Sequence, residues 1–211
     1  MERVMIFIDY WNFVNNLNDL HKRQTSSNFK IDWDSKLRDF IMKETKKVIG
    51  SDLSYAGMFV CGSYDPTQDT ATGKIKDSTY IWVTQTLPKF KGVTVRFKPR
   101  QLQKKRTLFC NKCNFLVDKC PNCNEVFSGF TEKGVDTEIV IEMFALAKVS
   151  YDIAVLVSDD RDFVAAVQAL RQKGIKVIHG RPSSNNGNDL DNECFASIEI
   201  GDNRSNFERS K

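Results

Sequence analysis

Acidic residues stand at the ends of the most apolar stretches of this chain. Val4-Met5-Ile6-Phe7-Ile8 runs without a polar residue into Asp9, and Asn12 follows three positions later. Ile153-Ala154-Val155-Leu156-Val157 runs into Ser158-Asp159-Asp160-Arg161-Asp162-Phe163. Asp136 opens a third apolar stretch that continues to about Val149. Taken singly, each acid has a plain structural reading: Asp9, Asp136 and Asp162 suit helix N-caps, and Asp159 suits the surface. Taken together they imply more. Carboxylates held close to one another raise each other's pKa values unless a cation neutralises them. Hard oxygen donors suit Mg²⁺ or Mn²⁺, and such an ion activates water and offsets charge in phosphodiester cleavage.

The six cysteines carry a second chemistry. Cys110-Asn-Lys-Cys113 and Cys120-Pro-Asn-Cys123 are two CxxC turns, and two such turns present four thiolates to one tetrahedral ion, with Zn²⁺ favoured over iron. A closed four-sulfur site is structural, not catalytic. Such a module stabilises a long insertion, supports a homodimer, or contacts single-stranded RNA, as basic zinc knuckles do. Cys61 and Cys194 stand alone and read as core cysteines.

Charge is unevenly spread. Lys89, Lys91, Arg96, Lys98, Arg100, Lys104, Lys105 and Arg106 fall in one stretch that contains no acid. That stretch carries +8 against a whole-chain net charge of +4, so the rest is net acidic. A basic segment on an acidic body is the footprint of a polyanion partner. The plainer alternative is an edge strand kept soluble by lysines. No apolar run is long enough to span a membrane, and a core strand beginning near residue 3 leaves no room for a signal peptide. A cytoplasmic protein is expected.

For the acids to meet, the apolar runs must be neighbouring parallel strands, because ligand sites of open α/β sheets lie beyond the strands' carboxyl ends. The pattern supports this. Strands are expected over 3–9, 53–61, 93–97, 153–157 and 175–178, with helices over 12–22, 32–49, 74–87, 136–149 and 162–173 between them. Phe195–Ile200 reads as a last edge strand or a helical turn, and the chain from Gly201 as a loose tail. Domain bounds follow: 1–106 and 130–200 form one α/β domain, 107–129 a zinc-binding hairpin insertion, and 201–211 a flexible end.

Phe7-Ile8-Asp9-x-x-Asn12, Lys133-Gly134-Val135-Asp136 and Ser158-Asp159-Asp160-Arg161-Asp162-Phe163, followed by Lys173-Gly174-Ile175-Lys176-Val177-Ile178, together resemble the NYN domain family of the PIN-like nuclease superfamily. The resemblance implies a three-layer α/β/α fold with a mainly parallel sheet and a Mg²⁺- or Mn²⁺-dependent ribonuclease. It makes Asp9, Asp136 and Asp160 the expected metal-binding acids and Asp162 a fourth. Asn12 would orient Asp9 or contact substrate. Glu142 falls where some relatives carry a second helix acid, although six residues from Asp136 it is off that residue's face. The family's strand-end turn usually reads Ser-Gly-Asp, so Asp159 here adds bulk and charge to that turn. Two rivals remain at this level: an RNA- or protein-binding module that does not cleave, and another phosphotransfer enzyme on the same sheet. The chain argues against a nucleotide-binding Rossmann enzyme, since no Gly-x-Gly-x-x-Gly follows the first strand.

Overall fold

The computed structural model describes residues 1–103, 107–110, 112–113, 115–183 and 189–209. The chain runs β1 (Glu2–Asp9), α1 (Tyr10–Lys22), α2 (Lys36–Ile49), β2 (Leu53–Tyr64), α3 (Ser78–Ile81), β3 (Val93–Pro99), β4 (Gln101–Gln103), β5 (Leu108–Phe109), β6 (Leu116–Val117), β7 (Gly129–Thr131), α4 (Val135–Leu146), β8 (Ile153–Val157), α5 (Val164–Gln172), β9 (Lys176–Arg181), α6 (Asp189–Glu193) and β10 (Ala196–Glu199).

Six strands pair in parallel in the order β10-β9-β8-β1-β2-β3. A strand pair of this kind needs a crossover, and the helices supply it from both faces. Alternation along β1 explains its unbroken apolar run. Val4, Ile6 and Ile8 join the core under α1 and α2, whereas Met5 and Phe7 join the core under α4, α5 and α6. The chain leaves β1 towards β2 and β3, then returns to β8 on the other side. The order therefore reverses between β1 and β8, the place where such sheets bind ligands.

Several local expectations shift. The helix expected over 74–87 starts later, at Ser78, and changes pitch: α3 passes into a π-helical stretch at Trp82–Thr86 and a 3-10 turn at Leu87–Lys89. Its start is fixed by Asp77, whose side chain accepts the Thr79 N–H at 2.8 Å. Likewise, α2 begins at Lys36 because the preceding segment is drawn elsewhere: Ile31 bridges Glu208 and Trp33 enters the core. Phe195–Ile200 resolves as the sixth strand, β10. The tail is not loose from Gly201. Phe207 is fully buried against Phe13, Phe29 and Phe40, and this aromatic cluster anchors residues up to Arg209.

The cysteine insertion grows from the rim of this sheet. β4 and β7 form an antiparallel stem, so the excursion begins at Gln101 and ends at Thr131, wider than the expected 107–129. Above the stem come two tight hairpins. β5 pairs with β6 around the Cys110–Cys113 turn, and Lys119 bridges Val126 around the Cys120–Cys123 turn. Among the described residues no helix is long and apolar enough to cross a membrane.

Candidate metal centre

β1 ends in Asp9, which is nearly fully buried. Its carboxylate accepts the Asn12 N–H at 3.3 Å and the Ser158 hydroxyl at 3.2 Å. So Asp9 does cap α1, and it also ties β1 to the end of β8. Burial pushes its carboxyl up to about 7, and the charges of Asp136 and Glu132 push the same way against those two hydrogen bonds. Asn12 completes the tie, since its side-chain oxygen accepts the Asp159 N–H at 3.0 Å.

Past β8 the chain turns sharply. The Ser158 hydroxyl accepts the Asp160 N–H at 3.2 Å, and Asp160 in turn accepts the Asp162 N–H at 2.9 Å. Asp136 arrives from the other direction, in the first turn of α4. Gly134 sets that start in the left-handed conformation at φ 73°, which a side chain would strain. Asp136, Asp160 and Asp162 each offer an oxygen within 4.8 Å of the others. The Asp136 carboxyl is raised by burial, then by the charges of Asp160, Glu132 and Asp162. A half-buried acid crowded by three others, all with oxygen donors, fits a hard divalent cation. Asp9 lies outside that close group of three; its oxygens are engaged by Asn12 and Ser158.

A further acid escaped the sequence reading. Glu132, between β7 and α4, accepts the Ser63 hydroxyl, and its charge reaches both Asp9 and Asp136. Its position four residues before Asp136, beside the Lys133-Gly134 turn, was the available signal. Ser63 also accepts Arg100 Nε at 3.0 Å, and its carbonyl accepts Trp11 Nε1 at 2.7 Å. Arg100 lies 4.9 Å over the Trp11 ring.

Asp159 does not intrude on the three gathered acids. Its carboxylate turns the other way, accepting the Ser183 N–H at 3.1 Å and lying 3.4 Å from His179 Nε2. Burial opposes its ionisation, but His179 and Ser183 outweigh burial and hold the carboxyl below its ordinary value. His179 is fully buried on β9, with Nε2 at 2.8 Å from the Ser158 carbonyl and Nδ1 at 2.6 Å from Asp191. A carbonyl and a carboxylate both accept, so the ring donates from both nitrogens as an imidazolium. Burial works against that charge; Asp159 and Asp191 overcome it and raise the pKa. The extra charge that Asp159 brings to this turn is thus met by a buried histidine.

The basic stretch does not form one free patch. Arg96 pairs with Glu138 and lies 3.3 Å from Glu142, and Lys98 pairs with Glu138, so these two cations are partly compensated by acids of α4. Glu142 is likewise an ion-pair partner, away from the three gathered acids. Lys89 and Lys91 are exposed before β3, at the opposite end of the sheet from the acids. Lys98 also reaches the Gly134 carbonyl at 3.5 Å, beside the start of α4, and Arg100 reaches Ser63 at 3.0 Å. Lys104, Lys105 and Arg106 lie outside the described residues. In each cysteine turn the first sulfur is favoured as thiolate by the turn's own N–H groups: those of Cys113 and Lys112 for Cys110, and those of Cys123 and Asn122 for Cys120. Among the described residues no three sulfurs gather within 4.8 Å, so the knuckles stand as two pairs.

A parallel α/β/α sheet with acids gathered at its switch point defines a PIN-like domain. Residues 3–199 match the NYN domain, and the chain belongs to that family, whose members are generally nucleases of the PIN-like superfamily. A solved protein of unknown function from Vibrio parahaemolyticus aligns over 99% of this chain and 96% of its own, at 15% identity and a TM-score of 0.48. No curated protein matches the chain.

Proposed function

We propose that this protein is an endoribonuclease that cleaves single-stranded RNA, with Asp136, Asp160 and Asp162 holding Mg²⁺ or Mn²⁺. The observation that carries the reading is the approach of these three carboxylates to within 4.8 Å at the switch point of the sheet. A divalent ion there supplies an activated water and offsets charge on the phosphoryl oxygens. Asp160 is held for this task from behind. Asp9 fixes the Ser158 hydroxyl, Ser158 fixes the Asp160 N–H, and Asn12 fixes the same turn through Asp159. Glu132 and Asp9 add negative charge around the three and strengthen attraction for a cation. Asp9 would stand behind these three as an inner acid, holding Ser158, and a bound cation would favour its ionised form.

The substrate class rests on what surrounds the acids. The cysteine hairpins rise from the same rim, because β4 follows β3 directly and β7 leads through Glu132 into α4. A zinc-held hairpin beside the acids suits a single strand with splayed bases. The test is incubation of the purified chain with labelled single-stranded RNA in Mn²⁺ or EDTA. Cleavage is expected in Mn²⁺ alone and is expected to disappear in Asp136→Asn and Asp160→Asn. Cleavage that persists in both variants overturns the site; binding without cleavage in any divalent metal overturns the activity.

A further inference from the structure

An open cleft of about 480 Å³ lies at the carboxyl ends of β2 and β3, walled by Trp11, Asp65, Lys76, Asp77 and Arg100 among others. Its charged groups divide into two kinds. The acids are consumed by the loop that builds the wall. Asp77 accepts the N–H groups of Asp65 at 2.9 Å and Thr79 at 2.8 Å. Asp65 accepts the N–H of Thr67 at 2.8 Å and its hydroxyl at 2.6 Å. The cations remain available. Lys76 is exposed, anchored through its backbone N–H to the Thr67 carbonyl, and its ammonium has no partner among the described residues. Arg100 spends Nε on Ser63, and its two outer nitrogens make no hydrogen bond among the described residues.

The Arg100 guanidinium is also held in place. It lies 4.9 Å over the Trp11 ring, and Trp11 is pinned in turn by its bond to the Ser63 carbonyl. A pre-set guanidinium fork with free outer donors, joined by a free ammonium in a concave wall, matches phosphate oxygens. The cleft is wired to the acids. Ser63, which accepts from Arg100, donates to Glu132, and the Glu132 charge is felt by Asp9 and Asp136.

We infer that this cleft is a backbone-phosphate subsite, in which Arg100 and Lys76 grip a phosphate of the strand flanking the one cleaved. The inference rests on the nuclease reading for its place relative to the scissile bond, and on the cleft alone for phosphate binding. It makes substrate grip depend on two residues some distance apart in sequence, of which Lys76 lies outside the basic stretch. Because only phosphate is gripped, this subsite is indifferent to base identity.

The test separates the two claims. Binding of a short fluorescein-labelled oligouridylate is followed by anisotropy in EDTA across a KCl series, for wild type, Lys76→Ala, Arg100→Gln and, as a control, Lys43→Ala on the far α2 surface. Each lost phosphate contact is expected to flatten the plot of log K against log salt by roughly 0.7 and to weaken binding about ten-fold at low salt. In Mn²⁺, the same two variants are expected to raise KM far more than they lower kcat. Lys76 sits on an exposed loop, so its variant keeps the fold, as circular dichroism will check. A salt slope and Kd unchanged in both variants, or changed equally in Lys43→Ala, overturn the subsite even if the protein cleaves RNA. A flattened slope in a protein that never cleaves upholds the subsite and overturns the nuclease reading.

Discussion

Asn12 Oδ1 accepts the Asp159 N–H at 3.0 Å, joining the first turn of α1 to the turn after β8 across 147 residues of chain. The same oxygen also accepts from Asn16 at 3.2 Å, which fixes its orientation. Asn12 is therefore a positioning residue for the loop that carries Asp160. Asn12→Ala leaves the Asp159 N–H, in a part-buried place, without its acceptor. An unsatisfied group of this kind costs about 1–3 kcal/mol. Urea unfolding is expected to show a loss in that range, and RNA cleavage is expected to fall through kcat as Asp160 loses its register. Wild-type kcat in Asn12→Ala would refute the positioning role.

Asp9 gives a pH signature to metal-free protein. Its carboxyl titrates near 7 in the folded chain, against about 4 when unfolded. Between those values the folded state holds a proton that the unfolded state has released. Folding is therefore favoured at the acidic end, and Asp9's contribution is lost as pH rises through about 7. Asp9→Asn removes the proton from the balance. In EDTA the variant is expected to be more stable than wild type at pH 8. The gap should reach a few kcal/mol, because each pH unit separating the folded from the unfolded titration is worth ~1.4 kcal/mol, and it should narrow towards pH 5. Parallel stability–pH curves for the two proteins would rule out this assignment.

Metal should reverse the penalty that the acids impose on one another. At neutral pH, Asp160→Asn relieves repulsion on Asp136, so the variant in EDTA is expected to melt no lower than wild type. Wild type with Mn²⁺ at about a hundred times its Kd gains ~2.7 kcal/mol, a rise of roughly 5–10 °C for a chain of this size. Asp136→Asn and Asp160→Asn are expected to lose most of that rise. Differential scanning calorimetry reads both effects, and an equal Mn²⁺ shift in all three proteins would remove the metal from these residues.

The parts of this architecture that could be read from the chain are those in which chemistry abuts an apolar run. Asp9 and Asp160 announce themselves because β1 and β8 are buried on both faces and end abruptly in acids. What could not be read is set by contacts between distant segments. The stretch from Lys89 to Arg106 looked uncompensated because its acids, Glu138 and Glu142, come from α4, some forty residues on. The phosphate-gripping Lys76 is hidden in a loop without periodicity. His179 sits inside an apolar strand, and only the fold brings Asp159 and Asp191 to it. The tail read as loose because its polar composition hides one buried ring, Phe207.

The two cysteine knuckles should behave as a unit that folds on metal apart from the sheet. Each turn already lowers the pKa of its first thiol, but the stem that carries them is only the three-residue pairing of β4 with β7. Leu108, Phe115 and Leu116 remain exposed on the hairpins, so little apolar burial supports them. Bound Zn²⁺ would draw the two pairs of sulfurs into one tetrahedron and contribute the folding energy that the hairpins lack. One Zn²⁺ per chain is expected by elemental analysis, falling to none in Cys110→Ser/Cys113→Ser. Stripping it with a chelator is expected to open residues 101–131 to protease while β1, β2 and β8 stay protected, because their core lies wholly outside the insertion. RNA affinity should drop in the stripped protein, with the Mn²⁺-dependent rise in melting temperature preserved. Loss of the Mn²⁺ response together with zinc would show instead that the insertion holds Glu132 and Asp136 in place, through β7 and the turn into α4.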